Sequence, residues 1–178
     1  FAGKLEPRKK IEKIFEALSL SGLSSYKLII VGAMDDDNYT ARLRDIADEK
    51  GTQVEFLPLI GDREKLAEFY NYIDVAIYPG SISITTVEAT ACGTPAIIYR
   101  SMQDLEYRVD NGRGQLFDTV EELSMIITKF AQNKSNIDSI QIAKATMRYS
   151  WENIAENYND LYLQHIEEGK NGKTKKSL

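Results

Sequence analysis

The sequence predicts an α/β fold with a doubly wound parallel sheet. Short apolar segments rich in β-branched residues alternate with longer segments whose apolar residues share one helical face. Such alternation forces parallel strands that are joined by right-handed helical crossovers. Hydrophobic residues make up 43% of the 178 residues, which is enough for the core of one domain of this class.

Five segments have the composition of buried parallel strands and stop at a turn residue. They are Lys27–Val31, Thr52–Leu57, Val75–Tyr78, Ala96–Tyr99 and Gln115–Phe117. The chain also opens on Phe1, rather than on Met, inside a segment with strand character. This opening leads us to expect a fragment of a longer protein.

Helices are predicted between these strands and after the last one. Gly51 is the expected C-terminal stop of a helix over Asn38–Lys50, and Asp62 is the expected N-cap of a helix that runs through Tyr72. The other predicted helices are Ser83–Cys92, Asp104–Val109, Val120–Gln132, Asn136–Met147 and Trp151–Ile166. We therefore expect one domain over residues 1–166, followed by a disordered polar tail over residues 167–178.

Composition excludes several classes of function. The net charge of −5 argues against a nucleic-acid partner, since phosphate backbones select basic surfaces. Cys92 is the single cysteine, so no intrachain disulfide can form, and His165 is the single histidine, which leaves too few ligands for a usual zinc site. No apolar run reaches the roughly 18 residues of a membrane span, and no signal peptide is visible. A cytoplasmic protein is expected.

In open parallel sheets, ligands bind beyond the carboxyl ends of the strands, where the strand order reverses. The functional residues are therefore expected in the turns that leave each strand. These turns are Gly3–Lys10, Gly32–Asn38, Leu57–Asp62, Pro79–Thr86 and Tyr99–Asp104.

The turn Gly3–Lys10 carries four cations, and Lys4 and Lys9 could both reach an anion at the sheet edge. Lysine is a suitable point charge for phosphate. The alternative is a solvated basic turn at the start of a helix. Cations oppose the helix dipole there by a few tenths of a kcal/mol each, and a bound diphosphate would remove that conflict.

The turn Pro79–Thr86 leads from a strand into a helix of small residues, where free N–H groups form an anion site. The hydroxyls of Ser83, Thr85 and Thr86 add further donors. Glu88 lies in a helix that is otherwise apolar and needs partners for its carboxylate. A ribose diol, a nearby lysine and simple exposure all remain open for Glu88 on this evidence.

The acidic run Asp35–Asp37 is a weaker candidate for a metal site. Consecutive side chains point in different directions, so we expect this turn to cap the helix that follows it. No metal site is predicted.

Several motifs occur in the order of a known family. The opening Phe1–Lys9, the Gly93–Pro95 stop after a small-residue helix, the late turn Asn111–Phe117 and the closing Ser150–Ile154 carry the likeness. The chain resembles, from Phe1 to about Ile166, the C-terminal donor-binding domain of the GT-B-fold retaining glycosyltransferases of family four. The resemblance implies a Rossmann-like domain, one half of a GT-B fold.

The resemblance also implies a UDP-sugar or GDP-sugar as substrate, with no metal or other cofactor. Lys4 and Lys9 would meet the diphosphate and stabilise its charge, and Glu88 would bind the ribose hydroxyls. The nucleobase would lie near Leu57–Ile60. The donor-binding residues implied by position are Gly3, Gly32, Leu59, Ile60, Gly80, Ile82, Ser83, Ile84, Thr85 and Glu88.

Three positions depart from the family pattern. Gly80 stands where the first of two paired glutamates, which touches the transferred sugar, is usual. Lys4 replaces an arginine and loses its forked geometry, and Met34 stands where a second glycine is common.

The expected function is the donor half of a retaining glycosyltransferase, with a preceding N-terminal domain that brings the acceptor. A role in cell-surface polysaccharide or glycan synthesis is expected, in the cytoplasm or peripherally at the inner membrane face through the missing half. Two alternatives are another GT-B enzyme, such as a nucleotide-sugar epimerase, and a degenerate, non-catalytic interaction domain. A flavodoxin-like receiver is suggested by Asp35–Asp37, but the lysine it needs is not evident.

Overall fold

The computed structural model describes residues 1–23, 25–33, 36–100 and 105–174. The predictions for Met34, Asp35, Asp104 and residues 175–178 lie outside the described residues. The chain divides into two compact units, Phe1–Ala145 and Thr146–Leu178. All five strands and every residue expected to bind the donor belong to the first unit.

Strands and helices alternate in the first unit, as the sequence predicts. The strands are β1 (Leu28–Val31), β2 (Val54–Leu57), β3 (Ala76–Tyr78), β4 (Ala96–Tyr99) and β5 (Gly114–Phe117). The helices are α1 (Glu12–Ser21), α2 (Asp37–Lys50), α3 (Arg63–Tyr72), α4 (Thr85–Ala91), α5 (Glu106–Val109), α6 (Val120–Gln132) and α7 (Ser139–Thr146). The second unit contains α8 (Trp151–Thr174).

All strand pairing among the described residues is parallel. β1 pairs with β2, and β4 lies between β3 and β5. The segment Phe1–Gly3 adds to the free side of β1 through a parallel bridge between Ala2 and Val31. The Phe1 ring in turn contacts the Tyr78 ring on β3, with 6.1 Å between centroids. The named strands thus form one two-stranded and one three-stranded parallel sheet, and the predicted α/β fold with a doubly wound parallel sheet is confirmed.

Burial explains why the strands are nearly continuous apolar runs. Every residue of β1 is buried, as are all three residues of β3 and the first three of β4. Helix α1 packs against α2 and α6, while α4 packs against α3, β3 and β4. Strands covered in this way cannot alternate polar and apolar side chains, because both faces are removed from water.

Local capping residues set several helix ends as predicted. The Asp62 carboxylate accepts from the Lys65 N–H at 2.9 Å and begins α3. Gly51 ends α2 in the left-handed conformation, with φ of 64°. The Asp36 carboxylate accepts from the Tyr39 N–H at 2.9 Å, so this described part of the acidic turn is a helix cap.

Several helix boundaries differ from the predictions, and three helix ends show the larger differences. Helix α8 continues to Thr174, eight residues past the predicted end at Ile166, and so includes most of the segment predicted as a disordered tail. Helix α7 begins at Ser139 rather than Asn136, since Lys134–Asn136 forms a 3₁₀ turn. Helix α4 begins at Thr85 rather than Ser83. No helix within the described ranges is both long and apolar enough to cross a bilayer.

Candidate functional site

The first turn of the candidate site is held against the end of β1 by backbone contact. The Gly3 N–H donates to the Val31 carbonyl at 2.9 Å, and the Leu5 N–H donates to the Ala33 carbonyl at 3.0 Å. A Cβ atom at position 32 would lie 1.7 Å from the Gly3 carbonyl oxygen. Gly32 is therefore required for the two predicted glycine turns to meet at this edge of the sheet.

Lys9 is the cation that the fold draws into the site. It ends a 3₁₀ turn over Pro7–Lys9, and only 5% of the residue is exposed. Its ammonium donates to the Ser81 carbonyl at 2.9 Å. Burial lowers the pKa of this ammonium, and the charge of Arg8 lowers it further. A buried cation with one internal acceptor retains two N–H donors for an anion. Lys4, from the same segment Gly3–Lys10, is exposed.

Gly80 lets two turns of the chain touch backbone to backbone. A Cβ atom at position 80 would lie 2.3 Å from the Arg8 carbonyl oxygen and 2.6 Å from the Lys9 carbonyl carbon. The same Arg8 carbonyl accepts from the Ser81 N–H at 3.0 Å. The space where a glutamate side chain would begin is thus filled by main chain, and this contact fixes Lys9 beside Ser81.

The loop from Ser81 to α4 is closed by short-range hydrogen bonds. The hydroxyls of Ser83 and Thr85 lie 2.7 Å apart, and the Thr86 hydroxyl donates to the Ser83 carbonyl at 2.9 Å. The Tyr78 hydroxyl donates to the Thr85 carbonyl at 2.7 Å. The N–H groups of Thr86, Val87 and Glu88 are already bonded to carbonyls of this loop.

Free N–H groups remain at the junction between this loop and α4. Within the described part of the chain, the N–H groups of Ser83, Ile84 and Thr85 have no hydrogen-bond acceptor. The Ser81 hydroxyl is also buried without a partner there. The predicted donors for an anion are thus present, in the last two residues of the loop and in Thr85, the first residue of α4.

Glu88 projects from α4 in a half-buried position. No hydrogen bond or ion pair to its carboxylate occurs among the described residues, which leaves this carboxylate without the lysine partner that the sequence allowed. Burial raises the pKa values of the Tyr70 phenol and the Cys92 thiol, and the negative charge of Glu88 raises both further. A ligand hydroxyl could supply donors to this acceptor.

Two apolar residues of the predicted site, Leu59 and Ile84, are mostly exposed. Leu59 is 64% exposed and follows the carboxyl end of β2, and Ile60 beside it is half-buried. Ile84 is 66% exposed at the start of α4, whereas Ile82 packs against the core. Exposed leucine and isoleucine side chains at a strand-end edge suit contact with a flat apolar surface such as a nucleobase.

Two parts of the site were missed by sequence analysis. Ser81 was not singled out, although it binds Lys9 through its carbonyl and buries its hydroxyl. The steric role of Gly80 was also missed, because the contact joins residues far apart in the chain. A proline and a glycine immediately before Ser81 were the available signal of a tight turn.

A family model described as glycosyl transferases group 1 matches residues 1–147. A probable sucrose-phosphate synthase of Thermosipho melanesiensis is 28% identical over 171 residues, which are 90% of this chain and 40% of that protein. A D-inositol 3-phosphate glycosyltransferase of Acidothermus cellulolyticus is 28% identical over 99% of this chain and 43% of that protein. The chain thus spans less than half the length of these curated relatives.

Solved structures superpose on this chain over most of its length. A sucrose-phosphate synthase from Thermosynechococcus elongatus superposes with a TM-score of 0.77 and 23% identity, over 93% of this chain and 45% of that one. The Anabaena protein HepE, solved in complex with UDP, superposes with a TM-score of 0.76 and 19% identity, over 92% of this chain and 48% of that one.

Proposed function

Since this chain belongs to the group 1 glycosyltransferases, we propose that it binds the nucleotide-diphosphate sugar from which the full-length enzyme transfers a sugar. The observation that carries the proposal is the buried Lys9 ammonium, which donates to Ser81 in the same loop that holds the free N–H groups of Ser83–Thr85. Cation and amides together form an anion site at the edge where parallel sheets bind ligands. HepE, a similar fold, was solved with UDP, which supports a nucleotide as the ligand.

The proposed roles follow the chemistry of each group. Lys9, with Lys4 from the same turn, stabilises the charge that develops on the leaving diphosphate, which is electrostatic catalysis. The Glu88 carboxylate accepts hydrogen bonds from the ribose hydroxyls. Leu59 and Ile60 contact the nucleobase. The donor is a UDP-sugar or GDP-sugar, transfer proceeds with retained configuration, and the chemistry uses no metal or other cofactor.

The wider role is also a proposal. The full-length enzyme works in the cytoplasm, in the synthesis of cell-surface polysaccharide or glycan, with an acceptor domain that precedes Phe1. Any contact with the inner face of the membrane belongs to that other domain. A nucleotide-sugar epimerase would use the same donor, and a product assay on the full-length protein separates the two reactions.

Calorimetric titration with UDP, GDP and their sugar conjugates tests the donor site. One nucleotide is expected to bind, and Lys9→Ala and Glu88→Ala are each expected to weaken its binding by about 1.5–3 kcal/mol, the range for hydrogen bonds to charged groups. Lys144→Ala, which removes an exposed lysine from α7, is the matched control. Unchanged affinity in both site variants would overturn these roles.

Gly80 favours one further candidate function, a domain that has lost catalysis and serves protein interaction. The glutamate that touches the transferred sugar in the family cannot be accommodated here, since main chain fills its place. Absence of any nucleotide affinity in the full-length protein would favour this candidate over the donor site.

A further inference from the structure

Lys10 has a backbone conformation that a lysine seldom adopts. Its φ is 51°, in the left-handed region that favours glycine, and its N–H donates to the Pro7 carbonyl at 3.0 Å. Glycine would close this turn without strain. Strained residues cluster at functional sites, so the Lys10 side chain is a candidate functional group.

The side chains of Lys10 and Lys13 meet at one aromatic ring. Their ammonium nitrogens lie 5.4 Å and 4.1 Å from the centroid of the Tyr99 ring. Tyr99 ends β4, and its ring packs on the buried Phe117 ring at 5.6 Å between centroids. The Tyr99 ring, at the carboxyl end of β4, thus has two ammonium groups close to it, and their like charges repel each other.

Neither ammonium is neutralised by the described part of the chain. No carboxylate among the described residues lies within ion-pair distance of Lys10 or Lys13. The neighbouring Arg100 differs, because Glu106 and Asp118 both pair with its guanidinium. Lys9 also differs, since it donates to Ser81. The two ammoniums over Tyr99 therefore have N–H donors that no carboxylate of the described residues occupies.

We propose that Lys10, Lys13 and Tyr99 form a second anion subsite, which binds a phosphate or carboxylate group of the substrates. The proposal rests on the proposed donor site, which accounts for the diphosphate through Lys4 and Lys9. The second anion belongs either to the acceptor or to the transferred sugar. It offsets the repulsion between the two lysines and accepts hydrogen bonds from both of them.

The first experiment titrates inorganic phosphate into the UDP-saturated chain and follows backbone amide shifts by NMR. Shifts are expected at residues 10–13 and 99–100 while UDP remains bound. Lys10→Gln and Lys13→Gln are each expected to weaken phosphate binding roughly two- to fivefold, the range for an exposed ion pair. Lys144→Gln makes the same change of charge elsewhere and is expected to leave the affinity unchanged.

Lys10→Gly separates a structural role from a binding role. Glycine suits the observed φ, so this variant is expected to be at least as stable as the natural chain while it binds phosphate as weakly as Lys10→Gln does. Phosphate binding retained by both Lys10 variants would overturn the role of Lys10.

The second experiment identifies the source of the anion by comparing UDP-glucose with UDP-glucuronic acid. A preference for the acidic sugar that disappears in the Lys10→Gln, Lys13→Gln double variant assigns the anion to the transferred sugar. Phosphate binding to the UDP-glucose complex, again lost in the double variant, assigns it to the acceptor. Displacement of phosphate by UDP overturns the second subsite, whereas failure of UDP to bind at all contradicts the donor site instead.

Discussion

Gly80 determines how closely the turn Gly3–Lys10, which carries the cations, approaches the turn Pro79–Thr86, which carries the hydroxyls. Because main-chain atoms of Arg8 and Lys9 occupy the space of its missing Cβ, any side chain at position 80 must separate these turns. The absence of a side chain at position 80 therefore allows the close packing that holds the buried Lys9 beside Ser81.

Gly80→Ala is expected to weaken UDP binding about as much as Lys9→Ala does, because the added methyl displaces the backbone that carries Lys9. The free energy of unfolding is expected to fall by about 1–3 kcal/mol, the usual range for overpacking. Chemical denaturation and calorimetry measure the two effects. Gly61→Ala is the matched control, since a Cβ atom at position 61 meets nothing within 4 Å. Equal effects at both glycines would contradict the steric argument.

The lowered pKa of Lys9 leads to a prediction for how UDP affinity depends on pH. Burial lowers the pKa of its ammonium, so the charge is lost at a lower pH than for an ordinary lysine. UDP affinity is expected to fall as pH rises through this lowered pKa. The stability of the free protein shows the opposite trend, since between the lowered and the ordinary pKa the unfolded chain binds more protons than the folded one.

Calorimetry of UDP binding from neutral to alkaline pH measures the first trend. Lys9→Met keeps the length of the side chain without the charge, and its affinity is expected to lack this alkaline decrease. Lys144→Met is expected to retain the decrease. A decrease of the same size in Lys9→Met would assign the effect to another group.

At the scale of single elements, helix α6 supports the helix that carries Lys13. Thr119 begins α6 with a capping box, in which its hydroxyl accepts from the Glu122 N–H and the Glu122 carboxylate accepts from the Thr119 N–H. Helix α6 packs directly against α1, whose Leu18 and Ile14 are buried. The cap therefore stabilises the layer behind the site without entering it.

Thr119→Ala is expected to lower the free energy of unfolding by about 1 kcal/mol, the typical cost of losing an N-cap. UDP affinity is expected to remain unchanged, because Thr119 is not among the proposed site residues. Thermal denaturation measures the loss, and Thr119→Ser, which keeps the hydroxyl, is expected to restore most of it. A loss of UDP affinity in folded Thr119→Ala would show that α6 couples to the site.

Local pattern was sufficient to predict most elements. The bounds of β4 and α6 agree with the prediction at both ends, because their apolar periodicity and turn residues are local signals. The contact between Lys9 and Ser81 joins residues 72 positions apart, so no local pattern reveals it. The left-handed conformation of Lys10 was equally hidden, since lysine is not a residue that signals it.

At the scale of the whole molecule, the proposed function assigns this chain only the donor side of the reaction. It spans about 40% of a curated relative, so the acceptor side of the reaction is expected elsewhere. The isolated chain is therefore expected to bind nucleotide without transferring sugar. Calorimetry and a product assay on the same preparation check both halves of this statement. Sugar transfer by the isolated chain would contradict the need for a second domain.

The backbone contacts at Gly32 and Gly80 also indicate how donor preference could be redesigned. A mutagenesis library that varies positions 32 and 80 would contain few folded variants, because any other residue collides with the Gly3 or Arg8 carbonyl. Leu59 and Ile84 are mostly exposed and lie outside these contacts, so they tolerate randomisation. A library confined to those two positions would sample new ligand preferences while the folded frame stays constant.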